Sequence, residues 1–314
     1  MKYDVLKVQG SGNTFFLIEG KNDELNWSEI GKWLCDPAQY GGADGLLVVL
    51  PSVHADAKMR VINADGSEAS MCGNGLRCVA RYVLNKLGKD QGIIETMKAD
   101  LHVACQGELV EGIHAFAVEI APVSFDLASL PMVYNAQHTL IDEQIADFST
   151  ELRYTAVSVP NPHLISIVPK AYIEDFKHQE QLAKRLNDEN NYTPDGVNVS
   201  YVYPISSSEI FVRTYERGVG FTNACGTAMT ASSLVASLLH IVDENMVTVY
   251  NPGGFVKCHV QQSGTETKLS LIGNATYIAL YELNIDDENH LYIKEELTEQ
   301  SEYLQKIKEV CIAF

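Results

Sequence analysis

Two stretches, separated by a constant interval, constrain this chain more than anything else in it. Asn63-Ala-Asp-Gly-Ser-Glu68 leads through Cys72-Gly-Asn-Gly75 into the apolar run 76–87, and Glu216-Arg-Gly218 leads through Ala224-Cys-Gly-Thr227 into the apolar run 228–242. The two cysteines are 153 residues apart, Arg60 and Arg213 each lie twelve residues before their cysteine, and the strand-like runs 93–97 and 246–250 keep the same interval. An internal repeat at a fixed period is read before any local pattern, because it dictates the architecture. It implies duplication: two halves, each placing one thiol where a loop becomes a helix.

The local patterns fit that scheme. Alternation and β-branched residues predict strands at 3–8, 14–19, 46–50 and 58–63 in the first half, with a helix over 27–35. A strand-like stretch continues over 92–103 and again over 108–118. The second half repeats this with strands at 154–159, 197–203 and 209–215, a helix near 181–186, and a closing strand over 268–283. Pro160-Asn-Pro-His163 reads as a turn held by its prolines. The weak patch 122–137 marks the crossing, giving a first half of 1–122 and a second half of 123–275. Residues 285–314 form an extension with helical spacing over 297–310.

The central runs 76–87 and 228–242 carry few charges, which suits helices enclosed by sheet on most sides. Strands and helices mix in both halves, and the repeated thiols imply a pseudo-twofold site between them.

Bulk properties exclude several functions. With 314 residues, 46% hydrophobic and 20% charged, there is length for two cores and no disordered tract. A net charge of −18 repels phosphate backbones and anionic lipid, so nucleic acid and membrane are not expected partners. Neither a signal peptide nor an apolar run approaching ~20 residues is present, which points to the cytoplasm. Seven scattered cysteines suit a reducing compartment. The nearest pair, Cys72 and Cys78, points to different sides of a helix, so no metal is expected. Cys35, Cys78, Cys105, Cys258 and Cys311 read as small buried hydrophobes.

Cys72 and Cys225 read differently. A helix N-terminus stabilises a thiolate and moves its pKa down from about 8.5. A pair of similar groups flanking one site suits inversion of a tetrahedral carbon, in which one thiolate removes a proton from one face while a thiol returns one to the other. Backbone N–H groups of Gly73, Asn74, Gly226 and Thr227 are placed to hold an α-carboxylate and the charge that spreads into it. Nothing here requires a cofactor.

On these motifs, together with Gly10-Ser-Gly-Asn13, Arg77, Asn161-Pro-His163 and Pro252-Gly-Gly254, the chain resembles the diaminopimelate epimerases, members of the cofactor-independent two-cysteine racemases. The motifs cover residues 3 to about 283 in order. The resemblance implies interconversion of L,L- and meso-2,6-diaminopimelate, an amino-acid substrate, for lysine and peptidoglycan synthesis, in a homodimer. It implies a mixed α/β (α+β) fold of two pseudo-symmetric domains, each a mixed or antiparallel sheet rolled around a central helix, with a strand near 276–284 returning to the first and the active site in the cleft between them. It implies Cys72 and Cys225 as the catalytic acid/base pair, with His163 and Glu216 as catalytic groups beside the thiols that assist proton transfer or hold the amino group. It makes Asn13, Asn63, Asn161, Asn198 and Arg217 substrate-binding positions. Gly45 departs from a usual glutamine, Phe221 from a usual glutamate and Ala228 from a usual glycine. A racemase of another amino acid, such as histidine, stays open on the same scaffold, as do a thiol redox sensor and a binding module.

Overall fold

A computed structural model describes residues 1–21, 25–243, 245–264, 266–285 and 289–311. The protein is mixed α/β and divides into two compact units, Met1–Glu119 with Ile272–Phe314, and Ile120–Leu271.

In the first unit, hairpin-paired strands Lys2–Gly10 and Asn13–Glu19 are followed in the sheet by Gly45–Leu50, which joins Asn13–Glu19 in parallel. Ala57–Asn63 pairs antiparallel with Gly45–Leu50 and parallel with Gln91–Glu95, which pairs in turn with Asp100–Val110. On the other side Lys2–Gly10 pairs with Thr276–Asn284, and that strand with His290–Glu296. The helix Gly73–Leu87 packs against six of these strands. A second helix, Trp27–Cys35, seals a core of Val5, Phe16, Trp27, Leu34, Leu46, Ile62 and Leu283.

The second unit repeats the pairing order. Arg153–Val159 and Asn161–Ile167 form a hairpin, Asn198–Ser206 adds in parallel, Glu209–Glu216 antiparallel, and Met246–Asn251 parallel to it, followed by Gly254–Ser263. The register repeats as well: Val48 faces Arg60 and Tyr201 faces Arg213, while Ile62 faces Glu68 and Tyr215 faces Phe221. Every one of these positions is displaced by 153. Gly45 and Asn198 are therefore counterparts. Phe15 pairs with Gly45 and His163 with Asn198, which makes Phe15 and His163 counterparts too.

The two central helices start as their motifs require. Cys72 (φ −147°, ψ 102°) and Cys225 (φ −129°, ψ 107°) are extended caps whose carbonyls accept the N–H of Leu76 at 2.8 Å and of Met229 at 3.0 Å. Gly88 ends the first helix with φ +62°, a left-handed cap whose N–H donates back to Asn85 and Leu84. The second helix, Gly226–Leu238, is buried nearly all round by Ala, Ser and Thr side chains small enough to let sheet approach from every side.

Several expectations are corrected. The run 92–103 is a hairpin, because Thr96 Oγ1 donates to Ala99 O at 2.7 Å and folds residues 96–99 into a turn. Asn161 to His163 belong to the strand Asn161–Ile167, since Val159 already faces Asn161 and only Pro160 turns. Residues 268–283 form two strands that break at Ala275. The second central helix stops at Leu238, four residues short of 242, where His240 takes φ +55°. Beyond Ile285 the chain is not only helical: His290–Glu296 is a strand and Glu299–Cys311 a helix. Residues 286–288 and 312–314 of that extension lie outside the described residues, as does the side chain of Cys311. Cys35, Cys78 and Cys258 are buried, but Cys105 is exposed, at a point where the register of its hairpin shifts.

Candidate functional site

In the first unit the residues singled out above converge on the start of the Cys72 helix. Cys72 Sγ accepts the Gly75 N–H at 3.4 Å, and a Cβ on Gly75 would stand 2.7 Å from the Leu47 side chain, so the helix start lies close against the sheet. Asn74 Nδ2 donates to Asn13 Oδ1 at 2.6 Å. Beneath them lies Arg77, fully buried, whose Nη2 donates to Ser11 Oγ at 2.7 Å and to Asn74 Oδ1 at 3.1 Å, and whose Nε donates to Asn274 O at 3.1 Å. Asn274 Oδ1 in turn accepts the Ser11 N–H at 2.9 Å.

Glycine makes room for this arrangement. A Cβ on Gly10 would stand 2.7 Å from Asn74 O, and one on Gly273 would stand 3.0 Å from Arg77 Cζ. Asn63 sits in the neighbouring loop, where its Nδ2 donates to Ser67 Oγ at 2.9 Å. Asp44 ties that loop to the Asn13 turn: it accepts the Thr14 N–H at 2.8 Å on its carboxylate and the Ala64 N–H at 3.2 Å on its carbonyl. Gly45 needs to be small, because a Cβ there would lie 2.7 Å from Ile62 O.

The second unit gathers His163, Asn198, Glu216, Arg217, Cys225 and Thr227. Asn198 Oδ1 accepts the Arg217 N–H at 2.9 Å and faces His163 across a parallel strand pair. Asn161 lies two residues before His163, on the same face of that strand. Arg217 Nη1 donates to Asp195 O at 2.8 Å, which leaves most of the guanidinium's N–H groups for a ligand. Gly196, at φ +73°, lets its stem pass, since a Cβ would meet Arg217 Cδ at 2.9 Å.

Charge and burial set the character of this group. His163 is wholly buried, and neither ring nitrogen has a hydrogen-bond partner among the described residues. Burial, and then the Arg217 charge, pull its pKa down to about 3, so the imidazole is neutral at physiological pH. Thr222 Oγ1 donates to Glu216 Oε1 at 2.5 Å. Cys225 Sγ lies 3.6 Å from Thr227 Oγ1.

The expected downward shift of a helix-start thiol is reversed at Cys225. Its burial pushes the pKa up, the Glu216 charge pushes the same way, and the Thr227 hydroxyl and Ala228 N–H oppose without prevailing. A terminal dipole stabilises a thiolate by a fraction of what removing it from water costs. Cys225 is therefore a protonated thiol in this structure.

Arg77, Ser11 and Asn274 are the residues whose place in the site local patterns did not reveal. Arg77 and Ser11 do stand in the motifs that carry the resemblance, and the small residues around Ser11 and at Gly273 mark where the backbone passes close to something large, but no local pattern joins them to Asn274. Cys78, on the same helix, is buried and its pKa is pushed up to about 12, as an inert core cysteine's should be.

With this geometry in place, the comparisons decide the family. The sequence pattern of diaminopimelate epimerase matches residues 5–114 and 155–278. The chain belongs to the diaminopimelate epimerase family. It is 45% identical to the diaminopimelate epimerase of Listeria welshimeri over 97% of this chain and 95% of that one. It is 48% identical to that of Ligilactobacillus salivarius over 88% of each. Among solved structures, the phenazine biosynthesis protein of the PhzF family from Bacillus anthracis shares the fold at a TM-score of 0.66 and 16% identity, over 91% of this chain and all of that one. The family pattern skips 115–154, which includes the stretch where Leu127, Leu130, Leu140, Ile145 and Phe148 add apolar mass to the second unit's core.

Proposed function

We propose that this enzyme is a cofactor-independent isomerase that interconverts L,L-2,6-diaminopimelate and meso-diaminopimelate by proton transfer at one α-carbon. Family membership is the observation that carries the reading, joined to a cysteine at the cap of each central helix. Cys72 and Cys225 are the two bases, one acting as thiolate while the other acts as thiol, and they exchange roles when the direction reverses. The raised pKa of Cys225 in this structure suits it to the thiol role.

The remaining residues divide between the two ends of such a substrate. The early N–H groups of each helix, at Gly73, Asn74, Gly226 and Thr227, have no carbonyl one turn back to accept them, so they suit the α-carboxylate on which carbanion charge develops. Arg217 suits the distal carboxylate, where a guanidinium fork matches two oxygens. Asn13, Asn63, Asn161 and Asn198 supply amide groups for the distal amine and carboxylate. Glu216, beside Cys225, and neutral His163 orient the ammonium and keep water from the thiol. A racemase acting on a substrate without a second carboxylate would leave Arg217 without its match.

We further propose a homodimer that works in the cytoplasm and contributes to lysine and peptidoglycan supply. Among the described residues no helix is long and apolar enough to cross a membrane.

Proton NMR of the reduced protein with L,L-diaminopimelate in D2O tests the reaction. The expected outcome is loss of the α-proton signal with growth of the meso isomer, and a fall of roughly 10²–10⁴-fold or more in either cysteine-to-alanine variant, Cys72→Ala or Cys225→Ala. Exchange with L-histidine or another L-amino acid, and none with diaminopimelate, would keep the two-thiol chemistry and overturn the substrate.

A further inference from the structure

The C-terminal segment does more than cover the sheet. The strand His290–Glu296 lies against Thr276–Asn284, and the helix that follows anchors itself with Tyr303 and Ile307, both buried. Its first residue, Glu299, reaches the Cys72 helix. Arg81 Nη1 and Nη2 donate to the two Glu299 oxygens at 2.6 and 2.8 Å, a two-pronged fork in which the Arg81 side chain is only 11% exposed. Arg81 Nη1 also donates to Ala275 O at 2.6 Å, and its guanidinium lies 3.8 Å from the centre of the Tyr277 ring. Glu299 closes the loop by accepting the Tyr277 N–H at 3.0 Å.

These contacts bracket one turn. Ala275 sits between Asn274 and Thr276, and Asn274 is the residue that accepts from Arg77 and from the Ser11 N–H. Arg77 and Arg81 are one helical turn apart on the same face of the Cys72 helix, so the same strand junction is gripped twice. From Arg77 the path continues to Asn74 Oδ1 and from Asn74 to Asn13. All of it lies within the first unit.

We propose that Glu299 is a positioning residue for the reaction: through Arg81 it holds the 274–276 turn, and with that turn Arg77 and the Asn13 and Asn74 pair at the Cys72 helix start. This rests on the reading above, in which that pair meets the substrate. Glu299 does not touch substrate itself.

In the full-length protein, steady-state epimerisation and amide hydrogen exchange are to be measured for Glu299→Ala, Glu299→Gln and a control, Glu302→Ala, whose side chain is exposed on the same helix. The expected result for Glu299→Ala is a rise in KM of about tenfold with kcat changed by less than about threefold. Exchange should accelerate at residues 9–13 and 274–277 and stay unchanged at 198–216. Glu299→Gln, which keeps an acceptor for the Tyr277 N–H, should show a smaller change of the same kind, and it carries the comparison should the alanine variant fail to fold. Glu302→Ala should match the parent.

Unchanged KM in Glu299→Ala overturns the proposal even if exchange accelerates, because the contact would then be a structural clamp alone. An equal effect from Glu302→Ala overturns it as well, by showing general loosening of the helix. If the parent protein itself fails to turn over diaminopimelate, the proposed function falls separately. The exchange arm then still decides the coupling, with unchanged exchange at 9–13 refuting it and acceleration there sustaining it.

Discussion

The two helix starts share a plan and differ in what surrounds the thiol. At Cys72 the helix is amphipathic and armed with Arg77, Arg81 and Lys86; the sulfur is partly exposed and accepts the Gly75 N–H. At Cys225 the helix is sealed on all sides by small residues, the sulfur is buried, and a carboxylate stands next to it. The counterpart of Arg77 is Thr230, whose hydroxyl merely donates back to Gly226 O and Thr227 O. The counterpart of His163 is Phe15. The two starts thus repeat one frame and differ in the groups set around each thiol.

The largest expected effect concerns His163. Its pKa is about 3 in the folded protein against 6.5 for the free side chain, so between those values the unfolded chain takes up a proton that the folded one refuses. Folding stability from this group is complete above pH 6.5 and is lost as pH falls, by roughly 5 kcal/mol once pH 3 is reached. Substituting the first unit's residue, His163→Phe, should flatten that loss. Urea unfolding of parent and variant at pH 7, 5.5 and 4 measures it as a widening difference between them, and parallel pH curves would show that the two positions are not the contrasting pair described here.

Next in size is Arg77. Arg77→Met removes a buried charge and leaves Asn74 Oδ1, Ser11 Oγ and Asn274 O without their donor, at a cost of roughly 3 kcal/mol. Thr230→Val, at the counterpart, removes only a hydroxyl that bonds within its own helix, and should cost below about 1 kcal/mol. Denaturation midpoints of the two variants give the ratio directly. Equal losses would mean that the Arg77 network is not what distinguishes the first helix start.

Much of this was legible in the sequence, and the rest was hidden for identifiable reasons. Both central helices, their cysteine caps and most strands follow from periodicity and from the repeat at 153. The turn at 96–99 was missed because Thr96 and Ala99 close it with a hydroxyl bond and no Gly or Pro announces it. The strand His290–Glu296 alternates poorly and is mostly exposed, so neither period shows. The Arg77 network joins residues 197 apart in the chain, and the Ser11 contact to Asn274 spans 263, separations that no local pattern encodes. The direction of the Cys225 shift was missed because a helix start can be seen in a sequence and full burial beside a carboxylate cannot.

The smallest effect lies where the repeat changes character outright. Arg60 forks onto Glu68 with both contacts at 2.8 Å, and the counterparts of those residues are Arg213 and Phe221. Phenylalanine accepts no hydrogen bond, so Arg213 Nη1 is buried with no acceptor among the described residues and the guanidinium lies 5.3 Å from the centre of the Phe176 ring. Phe221 packs edge-on against Phe176 and Tyr215, at 5.3 and 5.2 Å. Phe221→Glu should restore the fork of the first unit while giving up those two ring contacts. The opposing contributions are each on the order of 1 kcal/mol, so net stability should move by no more than about 1 kcal/mol. The decisive quantity is the coupling: introduced beside Arg213, the glutamate should be more favourable by about 1 kcal/mol than when introduced into Arg213→Met. A coupling of zero would mean that this corner has lost the geometry of its counterpart along with the residue.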